Sequence, residues 1–190
     1  YPGGGIYRNV WLLKVRPLHV AQWGTFIRAR NISASSATID LDVNIENNSA
    51  QDQTVEVVTN IFALDASFKK TGKSTATFSK SLLSINAGQK KKITNTVTIG
   101  NPKLWGPPPS QKPNLYVAVT SLQVDGKLVD VYEEEFGIRS LVFDPLKGLL
   151  INEIPVKFQG VNQHHDLGAL GAAFNLRAAE RQLEILQEMG

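Results

Sequence analysis

Apolar and polar residues alternate with a period of two along most of this chain, from Ile6 to about Phe158. In residues 38–47 every second residue is aliphatic, and these residues are Ile39, Leu41, Val43 and Ile45. The polar residues between them face the other way, because successive side chains of a strand point to opposite sides. Residues 38–47 are therefore predicted to form a strand with one face on an apolar core and the other in water.

The same alternation predicts further strands at residues 6–15, 55–61, 74–85, 91–99, 115–124 and 127–136. Asp125-Gly126 between the last two is typical of a two-residue hairpin turn, because glycine tolerates the positive φ that this turn requires. About seven short strands separated by turns, with no helix between them, indicate an antiparallel β-sandwich of immunoglobulin-like type. The predicted fold class is therefore mainly β, and we expect the sandwich to cover residues 18–143.

The pattern changes after Asp144-Pro145. Residues 148–158 are predicted to form a hairpin that turns near Asn152-Glu153, and 156–161 a buried strand. After a loop, Asn175 is predicted to cap a helix that ends at Met189. Its apolar residues recur at spacings of three and four, and they are Leu176, Ala179, Leu183 and Leu186. One strand, loop and helix cannot bury their own apolar faces, so we expect the rest of an α/β domain beyond Gly190.

Composition narrows the class of protein. Of the 190 residues, 42% are hydrophobic and 19% are charged, which is typical of a soluble globular protein and excludes a disordered chain. There is no run of the roughly 18 apolar residues that a membrane-spanning helix needs. The absence of cysteine excludes disulfides, thiolate catalysis and cysteine-based metal sites. Because Met189 is the sole methionine and Tyr1 opens the chain, we expect a piece of a longer protein.

Charge argues against a nucleic-acid partner. The net charge is only +3, whereas a nucleic-acid-binding face needs lysine and arginine clustered along a groove. The basic runs are Lys69-Lys70 and 90–92, and each lies beside turn residues. We therefore interpret them as solvated loops or as strand edges guarded against pairing.

Residues 160–166, with the sequence Gly-Val-Asn-Gln-His-His-Asp, gather ionisable and amide side chains at the end of a predicted buried strand. Such loops form the active site in α/β barrels. Three interpretations stay open. The segment is a polar loop whose histidines satisfy backbone groups, or a metal site using two of His164, His165 and Asp166, or a sugar-recognition loop. In the third case, Asn162 and His164 offer donors and acceptors to ring hydroxyls.

The carboxylates do not indicate a catalytic pair. Retaining glycoside hydrolysis needs two carboxyl groups about 5 to 5.5 Å apart on rigid elements. The run 133–135 is all glutamate and lies on a predicted strand, where neighbours alternate faces, so it is interpreted as a solvated edge. On the terminal helix, glutamates recur every four residues with arginines between them, which predicts ion pairs among Arg177, Glu180, Arg181, Glu184 and Glu188.

Four segments, taken in order, resemble glycoside hydrolase family 2, the family of β-galactosidases, β-glucuronidases and β-mannosidases. They are Pro2–Leu12, then Pro102–Trp105 with Pro113–Tyr116, then Phe136–Arg139, and last Leu150–Val156 with Phe158–His164. The resemblance covers essentially the whole chain. It implies that residues 1–17 end a jelly-roll sugar-binding-like domain, 18–143 form the immunoglobulin-like sandwich, and 144–190 begin a (β/α)8 catalytic barrel.

The resemblance also implies a function. The parent enzyme would be a retaining, exo-acting β-glycosidase without a cofactor, with β-galactosidase as the first choice, and would act on a β-linked oligosaccharide or glycoside. His164 matches the family histidine that contacts the nonreducing sugar, and Asn162 and Asp166 lie in the same motif. The sequence departs from the family at Gln159, where arginine is common, and at His165, where many members have glutamate. The catalytic glutamates of the family would lie beyond Gly190, so we expect this chain alone to be inactive.

The sandwich itself shows no evident pocket in its sequence. We expect it to act as a structural spacer that holds the jelly-roll against the barrel, and a homo-oligomer interface is a further role that its surface allows. The competing interpretation is a non-enzymatic module that binds carbohydrate or protein, because sandwiches of this type are widely used for recognition. Localisation is left open, with a secreted or periplasmic compartment favoured over the cytoplasm.

Overall fold

A computed structural model describes residues 5–6, 8–164 and 167–189 of the chain. These residues fall into two compact units. One unit is Val15–Val156, and the other combines the described residues of 1–14 and 157–190. The first unit holds the β-strands and the second holds the α-helix.

The chain is mainly β, as the alternation predicts. The first eight strands are β1 (Leu18–Arg30), β2 (Ser36–Asn47), β3 (Gln53–Leu64), β4 (Lys70–Thr77), β5 (Ser81–Ile85), β6 (Lys90–Gly100), β7 (Tyr116–Val124) and β8 (Lys127–Phe136). They are followed by β9 (Leu141–Asp144), β10 (Gly148–Ile151), β11 (Ile154–Pro155), a 3₁₀ turn (Gly168–Leu170) and α1 (Leu176–Glu188).

Two antiparallel sheets form the sandwich. The first has the order β1-β2-β6. The second has the order β4-β3-β7-β8, and β5 also pairs with β3. The aliphatic residues of the 38–47 pattern lie on the inner face of β2 with at most 2% of their surface exposed. One core cluster contains them together with inner residues of β3 and β7, so the immunoglobulin-like sandwich is confirmed.

Both predicted turns are present. Asp125 and Gly126 join β7 to β8 with φ values of 49° and 73°, and these positive values match a type I′ hairpin turn. Asn152 and Glu153 join β10 to β11 with φ values of 52° and 67°. A third strand, β9, pairs with the other side of β10 and extends the hairpin to three strands. The sequence pattern did not predict this strand.

The prediction of one strand over 74–85 is wrong in its continuity. Asn60 pairs with Thr77 and Val57 pairs with Ser81, so 78–80 oppose only the two residues 58–59 of β3. The additional residue interrupts the ladder between β4 and β5. It also turns Phe78 into the core, where 2% of its surface is exposed.

Two further strand predictions are wrong. Among the described residues of 6–15, none belongs to a strand, and residues 156–161 belong to no strand either. Only the amide of Val156 still donates to β10, to the Leu149 carbonyl oxygen at 2.8 Å. A strand needs a neighbour that takes up its backbone hydrogen bonds, and the alternation reports only which residues could be buried. The second segment stays exposed except for Val156, which is half-buried.

Candidate functional site

The sugar-recognition loop predicted from the sequence lies in the second unit, just before α1. Asn162 and His164 are both exposed, and the chain around them has no regular secondary structure. Asp166, the third predicted site residue, lies outside the described residues. The loop therefore presents two of the three predicted polar side chains to solvent, and their role in sugar binding stays a prediction.

Helix α1 packs beside this loop. Gln163 donates through Nε2 to Gln182 Oε1 at 2.6 Å, which ties the loop to the middle of the helix. A groove of about 470 Å³ runs between loop and helix and is lined by Gln159, Gly160, Val161, Leu186 and Met189. A second groove, of about 240 Å³, adjoins it along Val161, Asn162, Gln163, Gln182, Ile185 and Leu186.

Gln182 contacts the candidate loop, and the sequence analysis missed this residue. Its signal was the helical spacing, since Ala178, Gln182 and Leu186 are each four residues apart and share one face of α1. These three residues are half-buried. Leu176 and Leu183, which were predicted to belong to the apolar face, are 64% and 61% exposed. The apolar stripe of α1 is thus wider than the loop that covers it.

The N-terminus and the outer face of α1 follow the sequence prediction, and the helix ends at Glu188, one residue before the predicted Met189. Asn175 accepts a hydrogen bond from the backbone amide of Ala178 at 3.0 Å through Oδ1, which is the predicted N-cap. On the outer face, Arg177 donates to Glu184 at 2.7 Å. This contact raises the pKa of the Arg177 guanidinium and lowers the pKa of the Glu184 carboxyl. The face is a solvated array of ion pairs.

The described residues hold no cluster of three or more histidine, cysteine, aspartate or glutamate side chains able to bind a metal ion. His165 and Asp166, two of the metal ligands considered from the sequence, lie outside the described residues, so this search does not include them. His19 is remote from the loop in sequence and lies in β1 of the sandwich. It is 6% exposed, and its Nε2 lies 3.7 Å from Glu46 Oε2. Its burial within the sandwich fits a structural role.

A third concave surface lies on the outer face of the first sheet. Its volume is about 610 Å³, and it is lined by Phe26, Arg28, Arg30, Asp40, Asp42, Lys92 and Thr94. Arg30 donates to Asp40 at 2.7 Å and Lys92 to Asp42 at 3.0 Å. The hydrogen bonds from Arg30 and Thr96 hold the pKa of the Asp40 carboxyl well below its usual range, and those from Thr94 and Lys92 lower the pKa of the Asp42 carboxyl. The charged groups of this face therefore satisfy one another across the strands.

The glutamate run of β8 has the alternating exposure that the sequence predicts. Glu133 and Glu135 are exposed, whereas Glu134 is half-buried and accepts a hydrogen bond from Thr25 Oγ1 at 3.4 Å. Glu133 forms an ion pair with Lys70. The lysines of 90–92 lie at the edge strand β6, as expected for residues that guard an edge.

Within the described part of the chain, no helix has the length and apolar character required to span a lipid bilayer.

Comparison with known proteins gives the same picture of fold and family. The sequence model described as glycosyl hydrolases family 2 matches residues 19–139. The chain is 37% identical over 190 residues to the β-galactosidase BoGH2A of Bacteroides ovatus, a match that covers 100% of this chain and 21% of that protein. It is 32% identical over 197 residues to a β-glucuronidase of Formosa agariphila, which covers 98% of this chain and 19% of that protein.

Solved structures agree. The crystal structure of Bacteroides uniformis β-glucuronidase superposes with a TM-score of 0.85 at 27% sequence identity, covering 98% of this chain and 22% of that one. The chain therefore spans about a fifth of the length of the relatives that it matches. These relatives are named for two different substrates, a β-galactoside and a β-glucuronide.

Proposed function

The chain belongs to glycosyl hydrolases family 2, and we propose that it supplies the immunoglobulin-like sandwich and the beginning of the catalytic barrel of a retaining, exo-acting β-glycosidase. The observation that carries this proposal is the 37% identity to a β-galactosidase over all 190 residues. The alignment behind that identity covers the whole chain, so it includes the loop with Asn162 and His164. A module that only binds through its sandwich has no need of this loop and helix.

We propose that the two catalytic glutamates lie outside this chain and that the chain alone does not hydrolyse glycosides. A retaining mechanism needs one carboxyl group as acid and base and another as nucleophile, about 5 to 5.5 Å apart. The glutamates of α1 are instead engaged by Arg177 and Arg181 on an exposed helix face. A carboxylate held by a guanidinium is stabilised in its charged form and is a poor proton donor.

In the proposed enzyme His164, Asn162 and Asp166 contact the nonreducing sugar. An imidazole offers one donor and one acceptor when neutral, and an amide offers both, so the two side chains can bind neighbouring ring hydroxyls. The carboxylate of Asp166 accepts hydrogen bonds from hydroxyls. Support comes from the exposure of Asn162 and His164 in the described loop, where they are accessible to a ligand.

A β-galactoside is the substrate that we propose first. The support is the identity of 37% to a β-galactosidase, against 32% to the β-glucuronidase of Formosa agariphila. A glucuronide differs by a carboxylate, which a binding site must pair with a cation or with several donors. The sugar is therefore decided by residues that surround the substrate, and most of these would come from other parts of the barrel.

The sandwich is proposed to act as a spacer between the catalytic barrel and the preceding domain. Its core is one cluster contributed by both sheets, and its charged outer face is satisfied internally. These properties suit a rigid support better than a ligand pocket. A homo-oligomer interface is compatible with the same role.

The test is hydrolysis of chromogenic β-galactosides, β-glucuronides and β-mannosides by the 190-residue chain and by the full-length polypeptide that carries it. We expect activity only in the longer protein, with the galactoside preferred. His164→Ala in the longer protein should lower kcat/KM by about 100-fold or more, since a lost polar contact in the transition state costs several kcal/mol. Gln187→Ala, an exposed helix residue, is the matched control and should leave kcat/KM unchanged.

Other outcomes contradict the proposal in distinct ways. If the longer protein hydrolysed none of these sugars while the short chain bound a glycan or a protein, the chain would be a recognition module. If the longer protein were active but His164→Ala had no effect, the enzyme assignment would stand and the site assignment would be wrong.

A further inference from the structure

Trp23 lies at an irregularity of β1 that the proposed function does not use. Val20 pairs with Ile45 and Thr25 pairs with Val43, so the four residues 21–24 face Asn44 alone. Within this bulge Trp23 has a φ of 50° and 83% of its surface is exposed. A positive φ is rare for a bulky residue, and a bulge is a means of redirecting a side chain.

The bulge is held in place on several sides. Asn44 Nδ2 donates to the Gly24 carbonyl oxygen at 3.1 Å, and a Cβ on Gly24 would lie 2.5 Å from the carbonyl oxygen of Ala21. Hydrogen bonds to β8 secure its two flanks. The amide of Val20 donates to Asp130 Oδ2 at 2.8 Å, and Thr25 Oγ1 donates to Glu134 Oε2 at 3.4 Å. The surrounding contacts therefore determine the backbone conformation that exposes Trp23.

The chemistry around Trp23 favours a protein partner over a sugar. A sugar site needs polar groups that converge on ring hydroxyls, and the nearby Asp130 and Glu134 carboxylates are already engaged by the flanks of the bulge. An exposed tryptophan on a rigid backbone is instead typical of the anchor of a protein interface, which fills an apolar pocket of its partner.

Phe68 shows that exposure alone does not explain Trp23. It too has a positive φ, of 59°, and is 64% exposed. It lies in the turn between β3 and β4, where its amide donates to the Asp65 carbonyl oxygen at 3.0 Å. The tight turn accounts for that conformation, whereas Trp23 lies inside a strand, where no turn is needed.

We propose that Trp23 is the anchor of an interface with another domain of the same polypeptide, and that it inserts into an apolar pocket of that domain. This inference rests on the proposed function, because the chain spans about a fifth of its relatives' length and the rest of a full-length enzyme supplies the partner. The rigid bulge places the indole before the partner docks, so little conformational entropy is lost on docking.

Hydroxyl-radical footprinting read by mass spectrometry tests the proposal, because it reports oxidation of Trp23 separately from Phe68. Both residues should oxidise readily in the 190-residue chain. In the full-length polypeptide the oxidation rate of Trp23 should fall about tenfold, since an interface anchor is shielded from water. Phe68, the matched control, should keep its rate. Equal oxidation of Trp23 in both proteins overturns the proposal.

The two alternative occupants give different results. Protection of Trp23 in the short chain that grows with protein concentration would identify a second copy as the partner. Protection by added galactose or glucuronic acid would identify a sugar. Either outcome overturns the domain interface.

Substitution provides a second measurement. Trp23→Ala in the full-length protein should lower its unfolding temperature, and Phe68→Ala should not, whereas the two substitutions should have similar, small effects in the 190-residue chain. If Trp23→Ala destabilised both proteins equally, the residue would serve the sandwich alone. Neither measurement depends on hydrolysis, so an inactive enzyme with a protected Trp23 would refute the proposed function and leave the interface intact.

Discussion

The side chain of Asn152 donates through Nδ2 to the backbone oxygen of Trp105 at 2.8 Å, and this bond joins the β10–β11 turn to the proline-rich residues 102–113. The same Nδ2 donates to Gln111 Oε1 at 2.8 Å, and Oδ1 accepts from the amide of Ser140 at 3.0 Å. One residue in a left-handed conformation therefore connects three segments of the sandwich unit.

Asn152→Ala should destabilise the sandwich by about 2 to 4 kcal/mol, because it removes three hydrogen bonds of about 1 kcal/mol each and because alanine tolerates a positive φ less well than asparagine does. Asn152→Gly removes the same bonds without the backbone strain, so it should cost less. Urea unfolding of both variants measures the difference. Glu153→Ala, also at positive φ but exposed, is the control because it leaves the bonds of Asn152 in place, and an equal loss in that variant would show that those bonds contribute little.

Thr59 and Thr120 face each other across β3 and β7, and their buried hydroxyls are 2.8 Å apart. Replacing either one by valine leaves the other hydroxyl without this partner and should cost about 1 to 3 kcal/mol. The double replacement should lie within about 1 kcal/mol of the wild type, because no hydroxyl then remains buried. A double-mutant cycle in urea measures the coupling. Thr98→Val on the exposed side of β6 is the control, and additive effects would contradict the prediction.

The Arg30 guanidinium and the Thr96 hydroxyl keep the pKa of Asp40 well below its ordinary value of 3.8. A carboxyl whose pKa is lower in the folded state stabilises the fold above its unfolded pKa, and this contribution is lost as pH falls. The unfolding temperature should therefore decline below about pH 4, and Asp40→Asn should decline less over the same interval.

Added salt should weaken this difference, because the pair lies at the surface and is screened. Asp125→Asn in the exposed β7–β8 turn is the matched control, since asparagine suits that turn equally well. Parallel curves for Asp40→Asn and the wild type in acid would contradict the role assigned to Asp40.

Gly24→Ala should destabilise the sandwich by about 1 to 3 kcal/mol, the usual cost of an overpacked side chain. The added Cβ would meet backbone oxygens of Ala21 at 2.5 Å and Asn44 at 2.9 Å, and backbone atoms yield less readily than a flexible side chain. Thermal unfolding measures the change. Gly100→Ala is the control because nothing lies within 4 Å of its added Cβ, and equal stability of the two variants would show that the bulge is not tightly closed.

The alternation of apolar residues predicted a strand correctly where one of its faces is buried and the other is in water. Ile39, Leu41 and their neighbours in β2 are buried because the sheet has one dry face, which is a property that a period of two encodes directly. Turn chemistry was equally local. Asp125-Gly126 and Asn152-Glu153 adopt positive φ with few demands on the rest of the chain.

Strand pairing depends on residues far apart in the sequence, and the predictions that failed are those that depended on pairing. The additional residue at 78–80 depends on its register with β3, and the bulge at Trp23 depends on Asn44 and on carboxylates of β8. Residues 156–161 have the composition of a buried strand but no neighbouring ladder. In the loop, the motif predicts roles for His164 and Asn162, and these roles stay predictions. The hydrogen bond between Gln163 and Gln182 is seen only in the folded structure.

The sequence by itself determined the fold class, the turns, the helix cap and the family, because each depends on residues close together in the chain or on a pattern shared along its length. Tertiary structure alone decided which strands pair, where β1 bulges and how Asn152 joins three segments. The reason is physical. A backbone hydrogen bond or a buried hydroxyl needs a partner, and that partner can lie anywhere in the chain, so only the folded structure shows which residue it is.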